Sequence, residues 1–344
     1  MTDILRSRRR RRAGLCPLLA LLAAWPAGSP SALAAPEGVD AFYPEGPLRV
    51  GTSVFYAEMQ RDRVVEWTGT DTRTLFFKRG CGPTAIAPYD DGYVVLCHIA
   101  DRLVTITARG APRKYLSRDV DLEPFVNPND AGADDAGGVY FSASGIFSRS
   151  APAEGALLYL DAEGDIHRLA SDLQYTNGIV FDAARKRVLV SEHLGNRILA
   201  FPVTGPGQVE SPEVFVDLTR IGLGDLKAFP PQGPDGLELD AAGNVFAAHY
   251  GAGALLIFSS SGTLRERMAW SEPLITSVTL SADEKYLFLT GSEAGDGRWS
   301  PGRVERLGNP LKQGGNGPAM GASSVSLTRN KTTGAVSFDA PRQP

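Results

Sequence analysis

The chain is 344 residues long, 43% of its residues are hydrophobic, and its formal net charge is −4. This acidic balance argues against nucleic acids and anionic membrane surfaces as partners, because both are negatively charged. The 38 glycines and 24 prolines are typical of a globular protein with many turns. The length permits one large domain or two of ordinary size.

The first 34 residues have the organisation of an export signal. Arg6 and the run Arg8–Arg12 form a basic region, followed by the apolar stretch Leu15–Trp25 and the small residues Ala32-Leu33-Ala34. The apolar stretch is too short to span a bilayer, and the last three residues match a cleavage site. We therefore expect residues 1–34 to be a signal peptide and the mature chain, without a membrane span, to be periplasmic or secreted. Both the Sec and the twin-arginine routes remain open, and a nucleic-acid patch is the less favoured alternative.

Removal of this segment changes both the charge and the cysteine count. It takes away six arginines and one aspartate and moves the net charge from −4 to −9. Cys16 leaves with it, and Cys81 and Cys97 remain. An even number of cysteines in an oxidising compartment is consistent with a disulfide. The sequence does not show whether the two side chains meet, so a bond between them stays open.

Short β-rich runs, separated by Gly, Asp, Asn and Pro turns, fill the rest of the chain. The runs fall into six similar units. Their lead-in positions are Glu45, Thr84, Asn129, Asn177, Asp235 and Ser277, which are 39, 45, 48, 58 and 42 residues apart. Each interval has room for four short strands, the content of one propeller blade. We therefore predict an all-β protein, a six-bladed β-propeller over residues 35–310, with an irregular β-sandwich as the alternative.

The longest interval and the two ends of this domain depart from the regular repeat. The longest interval contains Leu218–Gly233, a stretch with Gly and Pro that we expect to be an inserted loop. Residues 311–344 are rich in Gly, Asn, Ser and Thr, and we expect a flexible tail there. The strand that closes the ring comes either from Val39–Tyr43 or from the tail near Val336-Ser-Phe, and the sequence does not decide between them.

Three tripeptides recur in front of the same predicted hairpin. They are Pro128-Asn129-Asp130, Thr176-Asn177-Gly178 and Pro234-Asp235-Gly236. Each places an oxygen-bearing side chain just before an apolar run, an acidic or polar turn and a second strand. If the hairpins repeat around one axis, these oxygens converge on it. Convergent hard oxygens form a cation site, whereas Asn-Gly and Asp-Gly as ordinary turn dipeptides are the alternative.

At these residues the chain resembles the senescence marker protein/gluconolactonase family of six-bladed propellers. The segments that carry the resemblance are Glu45-Gly-Pro, Pro128-Asn-Asp, Thr176-Asn-Gly-Ile and Pro234-Asp-Gly-Leu, in order and at blade spacing. Two longer segments, beginning at Val188 and Asn244, are similar to the bacterial branch that includes the drug-responsive lactonases. The resemblance implies hydrolysis of lactones at a divalent cation on the propeller axis.

The resemblance also implies roles for individual residues. The metal ligands it indicates are Glu45, Asn177 and Asp235. It makes Asn129 a ligand or a substrate-contacting amide, and it makes Asp130 beside it a ligand candidate. The chain departs from the sugar lactonases two residues before Asn129, where Asn127 stands and no substrate-orienting Arg is found. This departure argues against sugar lactones as substrates.

The expected chemistry depends on polarising an ester carbonyl. A cation withdraws electron density from the carbonyl oxygen and stabilises the oxyanion that develops. Two carboxylates and two amides, without thiolates or clustered imidazoles, favour a hard cation over structural zinc. We expect Ca²⁺ first, with Mg²⁺, Mn²⁺ and Zn²⁺ as alternatives. Asp235 can also hold the attacking water and accept its proton, so it would be both ligand and base.

We expect the four histidines to differ in position and role. His98 and His249 stand near the ends of second strands, where one imidazole could donate a proton to the departing alcohol; strand packing is the favoured alternative for both. His193 follows a strand and would lie at the pocket rim. His167 has charged neighbours and is expected on the surface.

We therefore predict an exported metal-dependent lactonase in which water attacks the polarised carbonyl of a small lactone or ester. The predicted catalytic residues are Asp235, Asn129 and Asp130. The alternatives are a propeller that binds a ligand or partner around a structural cation, and an arylesterase or phosphotriesterase at the same site. A Gly-Xaa-Ser-Xaa-Gly elbow is absent, which argues against a serine esterase. We expect a monomer or small homo-oligomer, and pocket walls from Ser148–Glu154 and Leu218–Gly233.

Overall fold

Six antiparallel sheets follow one another along the chain in the computed structural model, which describes residues 37–293 and 300–312. The first strands of neighbouring sheets pack side by side, and the first strand of the last sheet packs on that of the first. The sheets therefore close into a ring, and the predicted six-bladed β-propeller is confirmed. In the described ranges no helix has the length and apolar character needed to cross a membrane. The predictions for residues 1–34 and for the tail from residue 313 concern residues outside these ranges.

The blades are numbered from the first complete sheet, and the strands in chain order. Blade one consists of β2 (Pro44–Val50), β3 (Ser53–Glu58), β4 (Arg63–Trp67) and β5 (Thr72–Phe77). Blade two consists of β6 (Pro83–Tyr89), β7 (Gly92–Cys97), β8 (Arg102–Thr107) and β9 (Pro112–Leu116). Blade three consists of β10 (Pro128–Ala133), β11 (Val139–Ala143), β12 (Gly155–Leu160) and β13 (Ile166–Leu173).

The other three blades follow the same plan, except that blade four has a fifth strand. Blade four consists of β14 (Thr176–Asp182), β15 (Arg187–Glu192), β16 (Arg197–Gly205), β17 (Gln208–Val209) and β18 (Glu213–Asp217). Blade five consists of β19 (Gly233–Leu239), β20 (Val245–Tyr250), β21 (Ala254–Phe258) and β22 (Leu264–Ala269). Blade six consists of β23 (Leu274–Leu280), β24 (Tyr286–Ser292), β25 (Pro301–Gly308) and β1 (Glu37–Phe42). Two short 3₁₀ helices are Met59–Arg61 and Ala183–Arg185.

The ring is closed by the N-terminal strand of the described chain. β1 pairs antiparallel with β25, with Val39 opposite Val304, and forms the outer strand of blade six. Of the two closing strands that the sequence left open, the one near Val39–Tyr43 is therefore the one observed. It ties both ends of the propeller into one sheet and covers the edge that β25 would otherwise expose.

The core lies between adjacent blades rather than in one central mass. Phe246 and Ala247 illustrate this, since they are neighbours on β20 but belong to different clusters. Ala247 packs between blades four and five against Leu189, and Phe246 packs between blades five and six against Val278. Successive side chains on a strand point to opposite faces, so each blade contributes one face to each of two layers.

The two remaining cysteines form a disulfide. Cys81 precedes β6 and Cys97 ends β7, and both side chains are buried. The bond joins the start of the first strand of blade two to the end of its neighbour. It lies next to His98, whose backbone N–H donates to the carbonyl of Gly82 at 3.0 Å.

Candidate metal centre and active site

A register shift at the start of each first strand turns one polar side chain toward the axis. The shifts fall between Glu45 and Leu48, Pro83 and Ala85, Pro128 and Ala131, Thr176 and Ile179, Pro234 and Leu237, and Ile275 and Ser277. Bulges of this kind re-aim side chains and recur next to active sites. In blade six the shifted residue is Thr276, one position before the lead-in Ser277 that the sequence indicated.

Two glycines in these shifts allow neighbouring first strands to approach closely. A Cβ on Gly178 would lie 2.2 Å from the carbonyl oxygen of Asp235, and a Cβ on Gly236 would lie 2.1 Å from Oγ of Ser277. The Asn-Gly and Asp-Gly pairs are therefore parts of β14 and β19, not turn dipeptides. Glycine is needed there because the next blade occupies the space of a side chain, with backbone at Gly178 and mainly with the Ser277 side chain at Gly236.

Hydroxyl groups hold three of the first strands against the preceding blade. Ser144 Oγ donates to the carbonyl of Thr176 at 2.6 Å, and Ser191 Oγ donates to the carbonyl of Asp235 at 2.7 Å. Thr276 Oγ1 donates to the carbonyl of Pro44 at 2.6 Å. These bonds fix the backbone at, or one residue before, the predicted axial ligands.

One cavity of about 840 Å³ collects the axial side chains. Glu45, Asn129, Asn177 and Asp235 all line it, together with Thr84. Asn129 Nδ2 donates to Ser144 Oγ at 2.9 Å, which leaves its amide oxygen available to the cavity. The structure therefore brings four of the five predicted site residues to one place.

Two of these side chains are carboxylates in an unfavourable setting. Burial, and then the charges of Asp235 and Asp130, raise the pKa of Glu45 well above its ordinary value. Burial, and then the charge of Asp130, raise the pKa of Asp235 in the same way. Neither forms an ion pair with a Lys, Arg or His side chain within the described part of the chain. Two desolvated carboxylates without a positive partner, of which Asp235 is buried and Glu45 half-buried, favour the binding of a cation between them.

The donor set fits a hard divalent cation. Glu45 and Asp235 supply negative charge, and Asn129 and Asn177 supply amide oxygens. Asn177 also donates a hydrogen bond to Asp235, which lowers the pKa of that carboxyl against the larger effect of burial. Among residues 37–293 and 300–312, no cluster of three or more His, Cys, Asp or Glu side chains could hold a metal, so a site here depends on the amides.

Asp130 is the predicted site residue that does not line the cavity. Its Oδ1 accepts from the backbone N–H of Ala131 at 2.8 Å, and its Oδ2 accepts from that of Ile179 at 3.1 Å. Burial raises its pKa to about 7, although both backbone hydrogen bonds act in the opposite direction. The carboxylate thus links β10 to β14 just below the axial amides, and a direct catalytic role for it stays a prediction.

The histidines divide into three settings. His98 and His193 line the cavity, with His98 Nδ1 3.3 Å from the carbonyl of Pro128 and His193 Nε2 3.1 Å from that of Pro231. His249 is 2% exposed, and neither of its ring nitrogens has a hydrogen-bond partner among the described residues. Burial lowers the pKa of all three to about 4. His167 is on the surface, as expected, 2.8 Å from Asp161.

Sequence reasoning missed a group of aromatic side chains in the cavity wall. Tyr43 and Tyr250 join their hydroxyl groups at 2.9 Å. Phe147 lies over Tyr175 and His193, with ring centroids 4.7 and 5.3 Å apart. A signal was present in the sequence, because Tyr43 and Tyr175 each stand two residues before an axial side chain.

Part of the cavity wall comes from the two predicted loops. Ser148 and Arg149 line it from the first, and residues 226–231 line it from the second. Arg149 Nη1 donates to the carbonyl of Leu226 at 3.1 Å and joins the loops. The second loop contributes Phe229, Pro230 and Pro231, so apolar side chains stand in this wall beside the polar Ser148, Arg149 and Lys227.

Comparison with known proteins identifies a matching family model and similar proteins. The family model described as SMP-30/Gluconolactonase/LRE-like region matches residues 43–293. Lactonase drp35 of Staphylococcus saprophyticus is 23% identical over 220 residues, which cover 62% of this chain and 62% of that protein. The similarity therefore spans less than two thirds of that relative's length.

Solved structures show the same fold. The gluconolactonase of Xanthomonas campestris superposes with a TM-score of 0.60 at 21% identity, covering 80% of this chain and 93% of that one. Regucalcin of Agrobacterium tumefaciens, described as a calcium-binding protein, superposes with a TM-score of 0.61 at 19% identity, covering 79% and 93%. At these identities the likeness concerns the architecture.

Proposed function

This chain belongs to the SMP-30/gluconolactonase/LRE-like family, and from this premise we propose that it hydrolyses lactones at a divalent cation held on the propeller axis. The observation that carries the proposal is a pair of carboxylates, the half-buried Glu45 and the buried Asp235, which face one cavity without an ion-pair partner in the described ranges. The amides of Asn129 and Asn177 complete an oxygen donor set around the same cavity.

The roles of the residues follow from their positions. When bound, the cation supplies polarisation of the lactone carbonyl. Glu45, Asn177 and Asp235 would hold it. Asn129, fixed by Ser144, would present its amide oxygen to the cation or orient the substrate. Asp235 would also hold the attacking water and accept its proton.

Asp130 enters the proposal as a positioning residue. Its bond to the N–H of Ile179 fixes β14 two residues after Asn177. Its charge also adds to the repulsion that Glu45 and Asp235 experience without a cation. Both effects act on the site without contact with the substrate.

We propose Ca²⁺ as the resident cation. The donors are carboxylate and amide oxygens, which suit Ca²⁺ and its flexible coordination. The description of regucalcin, a protein of the same fold, as calcium-binding supports this choice. Mg²⁺, Mn²⁺ and Zn²⁺ are the alternatives that the experiment below includes.

For the substrate we propose a small lactone with an apolar substituent. Phe147, Phe229 and Pro231 line the cavity above the axial oxygens. Asn127, which stands where an Arg would orient a sugar, is not among the lining residues; its amide donates to the carbonyl of His98 at 3.1 Å. A polyhydroxylated ring that contacts these apolar side chains would leave hydroxyl groups without partners there.

We also propose that the protein is exported. The basic and apolar organisation of residues 1–34 supports this, and the disulfide between Cys81 and Cys97 is of a kind that persists in oxidising compartments. Fractionation of cells that express the full chain, with mass spectrometry of the mature N-terminus, tests it. A protein retained in the cytoplasm with Met1 intact would exclude export.

The first test of the activity is lactone hydrolysis by residues 35–344 after chelation and after addition of Ca²⁺, Mg²⁺, Mn²⁺ or Zn²⁺. The substrates are γ- and δ-lactones and one aryl ester, followed by proton release. We expect turnover only with a cation, and its loss in Asp235→Asn with the fold retained. Asp283→Asn, at an exposed turn, is the matched control and should keep full activity. Binding of the cation without turnover of any substrate would instead indicate a binding propeller.

A further inference from the structure

Two tyrosine hydroxyls form a pair in the cavity wall beside the axial carboxylates. Tyr43 Oη and Tyr250 Oη are 2.9 Å apart, and both residues line the cavity with Glu45 and Asp235. Tyr43 immediately precedes the first strand of blade one, and Tyr250 ends the second strand of blade five. The hydrogen bond between them therefore joins the two blades that supply the carboxylates.

The pair has one hydrogen-bond donor to spare. Each phenol carries one O–H, and the bond between the two oxygens uses only one of them. Among residues 37–293 and 300–312 the hydroxyls of Tyr43 and Tyr250 form no hydrogen bond except the one to each other. The second O–H therefore lies at the surface of the substrate cavity, where a bound substrate can accept its hydrogen bond.

The backbone of Tyr43 supports a functional reason for this arrangement. Its φ is 46°, in the left-handed region that a bulky residue seldom adopts. The conformation is held by neighbours, because its N–H donates to the carbonyl of Ser300 at 3.1 Å and its carbonyl accepts from Met59 at 3.2 Å. Strained residues of this kind cluster at functional sites.

Tyr250 is fixed from the other side. Its ring contacts the ring of His193, with centroids 5.6 Å apart, and its backbone pairs with Gly233. A Cβ on Gly233 would lie 2.3 Å from the carbonyl of His193. The ring of Phe147 also lies near the Tyr250 ring, with centroids 6.5 Å apart, so contacts with two rings hold the phenol at the cavity.

We propose that the Tyr43–Tyr250 pair donates its free hydrogen bond to the ring oxygen of the lactone as that oxygen leaves the carbonyl carbon. This inference rests on the proposed lactonase activity. In the reaction, the oxygen of water forms a bond to the carbonyl carbon, and the bond from that carbon to the ring oxygen breaks. The electron pair goes to the ring oxygen, which receives the proton that water has lost. The tyrosines keep their own protons and stabilise the charge that develops before that proton arrives.

Aliphatic and aryl lactones should differ in how much they depend on this hydrogen bond. An aliphatic lactone leaves an alkoxide, whose charge is localised on one oxygen and gains most from a donor. An aryl lactone leaves a phenoxide, whose charge is spread over the ring, so a hydrogen bond matters less. A role that is only structural, or that acts through the cation, affects both substrates equally.

The experiment compares δ-valerolactone with 3,4-dihydrocoumarin, using the mature chain with Ca²⁺. The variants are Tyr43→Phe, Tyr250→Phe and the double variant, with Tyr286→Phe on the outside of blade six as the control. In the double variant we expect kcat/KM on δ-valerolactone to fall about 100-fold, and kcat/KM on 3,4-dihydrocoumarin to fall less than about 5-fold. Ca²⁺ affinity by calorimetry should be unchanged, because the phenols are not ligands.

Two results would overturn the inference. One is an equal loss on both lactones, and the other is a loss of Ca²⁺ affinity that parallels the loss of activity. Failure of the proposed function looks different, since the unmodified protein would then turn over neither lactone with any cation. Thermal unfolding of each variant shows whether the fold is retained.

Discussion

The hydroxyl of Ser191, at the cavity end of the second strand of blade four, donates a 2.7 Å hydrogen bond to the backbone carbonyl of Asp235 in blade five. The side chain of Ser191 is fully buried. An axial carboxylate is therefore positioned by a neighbouring blade as well as by its own strand. Ser144 has the corresponding relation to Thr176, one residue before Asn177.

Removal of this hydroxyl should weaken cation binding more than it disturbs the fold. In Ser191→Ala the carbonyl of Asp235 loses its partner, and a ligand whose support is removed binds its metal about 10- to 100-fold less tightly. Calorimetric titration with Ca²⁺ measures the change. Ser261→Ala, in an exposed turn, should bind Ca²⁺ like the parent. Unchanged affinity in Ser191→Ala would show that the backbone bond is dispensable.

A methyl group at Gly178 should separate blades four and five. Its Cβ would lie 2.2 Å from the carbonyl oxygen of Asp235, which is backbone and cannot rotate away. We expect Gly178→Ala to lower the free energy of unfolding by about 1–3 kcal/mol and to impair cation binding. Gly205→Ala is the control, because its nearest neighbour is the flexible Gln208 side chain at 3.4 Å. Equal denaturant midpoints for the two variants would contradict the expected close contact.

The buried His249 should make stability depend on pH. Burial first, and then Arg267 and His193, lower its pKa to about 4, below the value near 6.5 of an unfolded chain. Between these two values the unfolded state binds more protons than the folded state. The stabilisation is therefore complete above about pH 6.5 and declines as the pH falls toward 4.

The corresponding variant is His249→Leu, which has no proton to bind. It should lose on the order of 2–3 kcal/mol of the pH dependence of unfolding between pH 6.5 and 4. Urea unfolding at several pH values measures this slope. His167→Gln, at the surface, serves as the control and should keep the slope of the parent. A parallel slope in His249→Leu would assign the dependence to other groups.

Phe147 should govern selection among substituted lactones. Its ring lies over Tyr175 and His193 at the cavity wall, although the residue itself is 41% exposed. In Phe147→Ala we expect KM for lactones with a hexyl substituent to rise about 10-fold with little change in kcat, because an apolar contact of this size contributes uniform binding. Unsubstituted lactones should show a smaller change. Phe77→Ala, exposed and outside the cavity lining, is the control; equal effects on both classes of lactone would exclude the role.

Much of the fold could be predicted because it depends on patterns within short segments of the sequence. Strand runs, turn residues and the spacing from Glu45 to Asp235 repeat once per blade, and the repeat indicated six blades before any contact was known. The same repeat indicated Asn129 and Asn177, since each stands at the start of a first strand. The sequence placed the lead-in of blade six at Ser277, one residue after the observed Thr276. The register shift there follows the apolar Ile275, and neither a proline nor a glycine marks its position in the sequence.

Other features could be recognised only in the tertiary structure, where the ring is closed. Asp130 and Asn129 are neighbours in sequence, yet the bulge turns one toward Ile179 and the other toward the cavity. Sequence could not separate them, because a register shift changes which side of the strand a side chain leaves. The choice of β1 as the closing strand likewise depended on pairing with β25 at the other end of the domain.

By itself, then, the sequence determined the blade count and the four axial oxygens, because both depend on short-range patterns repeated along the chain. The tertiary structure decided which side chains share the cavity with those oxygens. Tyr43 and Tyr250 are 207 residues apart, and no local pattern links them. Their hydroxyls meet only because closing the ring brings the start of blade one to the cavity that blade five also lines, and that long-range geometry is set by the packing between all six blades.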